Sequence, residues 1–182
     1  KRPDLHISLI LFSGDKAGSK LHKWSGFSII IRLLRPKSIG QLNIKSLNPL
    51  VQPEIHMNYF SNREDRKLLV NAIKTTRKIM ESKPISNLIN EEYSPGSDII
   101  SDKDIENFLS TKGGISYHPV GTCKMGNSKD CVVDYDLNVH GVKKLRIVDA
   151  SIMPTITSGN TNAPVIMIAE KAADLILNRS KS

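Results

Sequence analysis

A chain of 182 residues with 39% hydrophobic content carries enough apolar side chains for a real core, which excludes a disordered polypeptide and places the length between one domain and two. Its net charge of +8 makes nucleic acid and anionic membrane surfaces physical partners to weigh, but the 26 Lys and Arg are scattered among 18 Asp and Glu. The densest basic stretch, residues 63–83, reads as a solvated helix face, so no nucleic-acid partner is expected, and no apolar run is long enough for a transmembrane helix.

Leu5 to Phe12 alternates as a strand, and Gly14 to Lys23 reads as a polar loop. A second strand fits Phe27 to Leu34, closed by Arg35-Pro36, and a third fits Gln41 to Ser46, with Leu42 and Ile44 on one face and Asn43 and Lys45 on the other. These predict an antiparallel sheet with one wet face. Pro49 and Pro53 punctuate a loop that ends at Tyr59-Phe60. Ser61 and Glu64 have the spacing of a capping box, opening an amphipathic helix over 61–82 with Leu69, Ile73 and Met80 on its apolar stripe.

A loop containing Pro84, Pro95 and Gly96 leads to Ser101, an N-cap followed by Asp102 and Asp104, and a shorter helix to about Ser110. Gly113-Gly114 breaks it, and the chain changes character near residue 116. Beyond lie a loop, a short strand Leu145 to Val148, another loop, and a helix Ala163 to Leu177 with Pro164 in its first turn. The expected class is α+β: an antiparallel sheet backed by helices over 1–116, then a strand-loop-helix segment over 117–182.

The chemistry concentrates in that last segment. His118 lies in Tyr-His-Pro-Val-Gly-Thr-Cys at 117–123, where Pro119 restricts the residue before it. Asp149-Ala150 ends the expected strand, and Ser-Gly-Asn-Thr-Asn-Ala-Pro at 158–164 opens the helix, so Asp149 and Asn162 occupy places where ligands collect in α/β architectures. Each residue also has a plain structural reading: His118 as a satisfied loop histidine, Asn160 and Asn162 as turn and cap residues, Asp149 as an acceptor for the amides of the next turn. His6, His22 and His56 are read as structural or exposed. Cys123 and Cys131 do not make a disulfide scaffold, and their spacing from His118 and His140 fits no usual zinc pattern, so no metal is expected. A local disulfide and two free thiols both stay open, as does the compartment.

Taken together and in order, 118–125, Val133-Asp134, Val139-His140-Gly141, 145–155 and 158–164 resemble the C-terminal part of the glucose-methanol-choline oxidoreductase family, most closely its FAD-dependent glucose dehydrogenase and choline dehydrogenase branches. Arg35-Pro36-Lys37-Ser38 with the strand after it, and Asn58-Tyr59-Phe60 before the long helix, are also similar to that family. The resemblance spans roughly residues 30–177.

It implies a flavoenzyme that passes a hydride from an alcohol or sugar carbon to N5 of FAD. His118 would take or position the hydroxyl proton and Asn160 would orient the oxygen. Asp149, Ala150, Thr161, Asn162 and Ala163 would match cofactor-binding positions, and 1–116 would be part of the substrate-binding domain. Imidazole suits proton removal near neutral pH, and amides at a helix N-terminus favour negative charge beside them.

No G-x-G-x-x-G fingerprint occurs, so the chain is expected to be a C-terminal portion whose partner is an N-terminal FAD-binding half of the same protein, and to bind FAD poorly alone. Two other readings are weighed: a non-catalytic family member acting as a binding module, and a polyanion-binding chain.

Overall fold

The computed structural model describes residues 2–16 and 18–179, and the chain forms two compact units. One comprises Lys1–Ile39 and Asn58–Ile115; the other comprises Gly40–Met57 and Ser116–Ser182.

In the first unit, β1 (Leu5–Ile10) pairs antiparallel with β2 (Ser28–Leu33), with Leu5 opposite Leu33 and Ile10 opposite Ser28. Ile31 of β2 packs against Val70, Ile73 and Ile105, which are buried on the two helices of this unit. The α1 helix (Arg63–Met80) buries Leu69, Val70, Ala72, Ile73 and Thr76, a stripe at helical spacing, and leaves Ile79 exposed. Its cap is Asn62 in place of the expected Ser61: the Asn62 Oδ1 accepts the Glu64 amide at 2.8 Å while the Asn62 amide donates to the Ser38 hydroxyl at 3.2 Å. Asparagine caps as well as serine, and the anchoring to Ser38 shifts the start by one residue. The α2 helix (Asp102–Lys112) starts as read, with the Ser101 hydroxyl oxygen accepting the Asp104 amide at 3.1 Å.

The link between strand and helix is Asp65, only 4% exposed in the first turn of α1. Its carboxylate accepts the Lys37 amide at 3.0 Å, the Ser38 amide at 2.7 Å and the Ser38 hydroxyl at 2.6 Å, so the turn after β2 is held to the helix start. Burial pushes this carboxyl up, but the Ser38 hydroxyl and the two amides outweigh it and hold it below the ordinary carboxylate range. A second tie is Arg77, whose guanidinium meets both Glu92 oxygens and donates to the carbonyls of Gly96 and Ile99. His22 is the structural histidine of the three: its side chain is 9% exposed, stacked on Trp24 and bonded to Ser13 and Asp15.

The second unit departs from the sequence reading. The third strand is β3 (Gln41–Asn43), and it pairs with β4 (Glu54–His56), a stretch read as loop, in a separate two-stranded sheet. Three residues carry too little alternation to show as a strand, and Pro53 sits just ahead of β4, where its missing amide costs no ladder bond. The expected strand Leu145 to Val148 is absent as well. Arg146 makes a single bridge to Asn138, flanked by bonds from Val139 to Leu145 and from Ile147 to Leu137. Leu137 and Lys144 have φ of 67° and 61°, so both segments bend before a ladder can extend. The last helix, α3 (Asn162–Arg179), turns Val165, Ile168 and Ala172 onto a core shared with Val133, Leu137, Ile152 and Met153.

Asp65→Ala is expected to cost about 3 kcal/mol at neutral pH, since two amides lose a charged acceptor at about 1–3 kcal/mol each. Because the folded carboxyl titrates below its ordinary range, this difference is present in full above that range and fades as pH falls through the folded value. Denaturant unfolding of both proteins at neutral and acid pH measures it; a difference that persists in acid contradicts the assignment.

Candidate functional site

His118 is placed by its neighbours. Tyr117, 73% exposed, holds the left-handed conformation at φ 55°, a strained choice for an aromatic residue, and Gly121 follows at φ 89°. A Cβ at Gly121 would approach the Met153 carbonyl oxygen at 3.2 Å, so both the conformation and the close approach require glycine. The loop then runs alongside a short 3₁₀ turn at Ala150–Ile152. The Cys123 amide donates to the Ser151 carbonyl at 3.0 Å and the Met125 amide donates to the Ile152 carbonyl at 2.8 Å. Val120 and Met125 pack on the core containing Ile152 and Met153.

Asp149 caps that turn, its Oδ1 accepting the Ser151 amide at 2.7 Å, while Ala150 packs half-buried on the core. The plain structural reading of Asp149 is therefore physically present, with the carboxylate on the exposed side. Asn160 is exposed just ahead of α3; the Thr161 carbonyl accepts the Val165 amide at 3.0 Å, and Asn162 and Ala163 are exposed in the first turn. The sequence positions thus fall into two groups. The loop of His118 and the turn of Asp149-Ala150 are joined by backbone hydrogen bonds, whereas residues 160–163 are tied to them through the core, by way of Val165.

The Nδ1 of His118 is buried and has no hydrogen-bond partner among the described residues. A second buried atom in this unit is in the same state: the Thr157 hydroxyl, three residues ahead of Asn160. Nothing in the pattern around Thr157 marks it, because only burial reveals that a hydroxyl lacks a partner.

Asp134, between the His118 loop and the Asp149 turn in sequence, organises the loop that joins them. Its Oδ1 accepts the Asp136 and Asn138 amides at 2.9 Å each, and Asn138 Nδ2 lies 3.1 Å from Oδ2. Burial raises this carboxyl, yet the Asn138 side chain and the two amides carry it below the usual range. Cys123 and Cys131 are both free thiols, Cys131 Sγ lying 3.1 Å from the Ser128 hydroxyl. Among the described residues no helix is long and apolar enough to cross a membrane.

The GMC oxidoreductase family model matches residues 36–169, and the chain belongs to that family. It is 40% identical over 178 residues to the alcohol dehydrogenase [acceptor] of Pseudomonas putida, covering 98% of this chain and 32% of the relative. It is likewise 40% identical over 176 residues to the mitochondrial choline dehydrogenase of Mus musculus, covering 96% of this chain and 30% of the relative. The chain therefore spans about a third of the length of the curated relatives it matches. Among solved structures, formate oxidase of Aspergillus oryzae RIB40, described for modification of its FAD, superposes with a TM-score of 0.91 at 28% identity over 99% of this chain and 32% of that one. Pyridoxine 4-oxidase from Mesorbium loti gives 0.85 at 27% identity over 96% of this chain and 34% of the other.

Asp149→Ala is expected to cost about 1 kcal/mol of stability through loss of the cap, and Asp149→Asn should restore most of it, since asparagine caps equally well. Thermal melts of the two variants decide it: equal losses would mean that the charge matters and the cap does not.

Proposed function

We propose that this chain is the C-terminal module of an FAD-dependent oxidoreductase acting on the CH–OH group of a small alcohol, with His118 as base. The observation that carries the reading is the buried, unpartnered Nδ1 of His118 on a loop fastened to the Asp149 turn. Family membership supports it, as do relatives whose names specify an alcohol and choline.

The residues present fit the cofactor. A histidine without a protein partner at Nδ1 is an orphan that a bound reactant or cofactor can satisfy, and amides in the first turn of α3 lack intrahelical acceptors. FAD, when bound, supplies the acceptor for the hydride that leaves the carbinol carbon. His118 holds the alcohol hydroxyl and takes its proton, work for which an imidazole is suited near neutral pH. Asn160 donates through its carboxamide to the same oxygen, steadying it as charge develops. The start of α3 at Asn162-Ala163 favours negative charge placed before it, and Thr161 contributes the carbonyl that opens the helix. Asp149 and Ala150 shape a turn that would help hold the cofactor, with Asp149 ordering amide donors, since a carboxylate does not attract a pyrophosphate. The remaining portion of the protein, which in the relatives makes up the greater part of the length, supplies the dinucleotide-binding half, and residues 1–116 contribute to the substrate side.

The protein that contains this chain should carry a flavin absorbance spectrum that bleaches anaerobically on addition of its alcohol, with choline among the first to try. His118→Ala should lower turnover by about 10²–10⁴-fold with the flavin still bound. A loss of less than about tenfold removes His118 from the role of base.

A further inference from the structure

We infer that Thr157 is a cofactor-contacting residue whose hydroxyl donates a hydrogen bond to a carbonyl oxygen or ring nitrogen of the flavin, an assignment that rests on the reading of the site given above. Three buried side-chain polar atoms lack partners among the described residues: Thr76 Oγ1, His118 Nδ1 and Thr157 Oγ1. Thr76 has a local remedy, because a helical threonine reaches the carbonyl one turn back, as its neighbour Thr75 does to Asn71 at 2.8 Å. Thr157 stands on irregular backbone with no such acceptor.

Its surroundings fix it in place. Met153, four residues earlier, is buried in the core, the Gly159 amide donates to the Thr157 carbonyl at 2.8 Å, and Val165 anchors the helix that follows. The carbonyl is therefore used, and the hydroxyl is left over. A buried hydroxyl without a partner is unfavourable, and valine, nearly the same shape, would avoid the loss, so the hydroxyl is explained by an acceptor outside the chain. That acceptor is a resident group. A substrate would leave the hydroxyl unpaired between turnovers, whereas a bound cofactor satisfies it throughout. The hydroxyl is neutral over the working pH range and a poor base, which suits hydrogen bonding to a cofactor and leaves proton removal to His118.

The test uses the whole protein, as holoenzyme and after removal of FAD, with wild type, Thr157→Val and Thr157→Ser compared. Thr157→Val should leave the melting temperature of the apoprotein unchanged or raise it, weaken FAD binding about tenfold as one lost hydrogen bond does, and shift the visible absorbance maxima of the bound flavin. Thr157→Ser should stay close to wild type in all three. An equal fall in the melting temperature of apoprotein and holoenzyme for Thr157→Val would assign the hydroxyl to the protein's own packing and overturn the inference. Unchanged FAD affinity and spectrum with only KM raised would assign it to the substrate and overturn it too. Wild-type protein that takes up no FAD would defeat the functional reading itself, and with it this assignment, and is distinguishable from both.

Discussion

The second unit is built largely without regular strands, so its buried peptide groups must find acceptors across irregular backbone, and two of those bonds fasten the loop that carries His118. Cys123 to Ser151 and Met125 to Ile152 run between a glycine-bent loop and a three-residue turn. They hold because the side chains of Val120 and Met125 close the core over Ile152 and Met153. Without that closure the amides would exchange their partners for water at little cost. Packing and hydrogen bonding here are one constraint, and His118 is positioned as a by-product of it.

Two aspartates extend the same logic. Asp65 and Asp134 each gather amides of a turn onto one carboxylate, and in each case the amides and side-chain donors prevail over the tendency of burial to neutralise the group. A charged acceptor can serve several donors at once, which a backbone carbonyl in a tight turn cannot do as well. In the first unit this fastens the turn after β2 to α1; in the second it shapes the loop between the histidine and the last helix.

The helices were legible because their apolar spacing and polar caps are local signals: Ser101 capped α2 as expected, and the stripe of Leu69 and Ile73 identified the buried face of α1. The cap of α1 moved to Asn62 because its anchor, Ser38, lies 24 residues away and leaves no mark nearby. The strand content was the least legible. The Glu54–His56 segment is too short to show alternation, and Leu145 to Val148 has an apolar rhythm but a partner that bends at Leu137. For the proposed site, His118, Asp149 and Asn160 stand out by the order of motifs, while the unpartnered state of Thr157 depends on burial by residues distant in sequence.

The discontinuous make-up of the second unit governs when its pieces meet. Residues 40–57 leave the ribosome early, yet the rest of their unit begins only at Ser116, after the whole inserted stretch from Asn58 to Ile115. The first unit has all its parts once Ile115 has emerged, and domains tend to fold as units in the order of synthesis. The β3–β4 hairpin is too small to hold together alone, so it waits for the rest of its unit, from Ser116 onward. The histidine loop is thus assembled last, in a unit whose first piece, residues 40–57, was made before the first unit was finished.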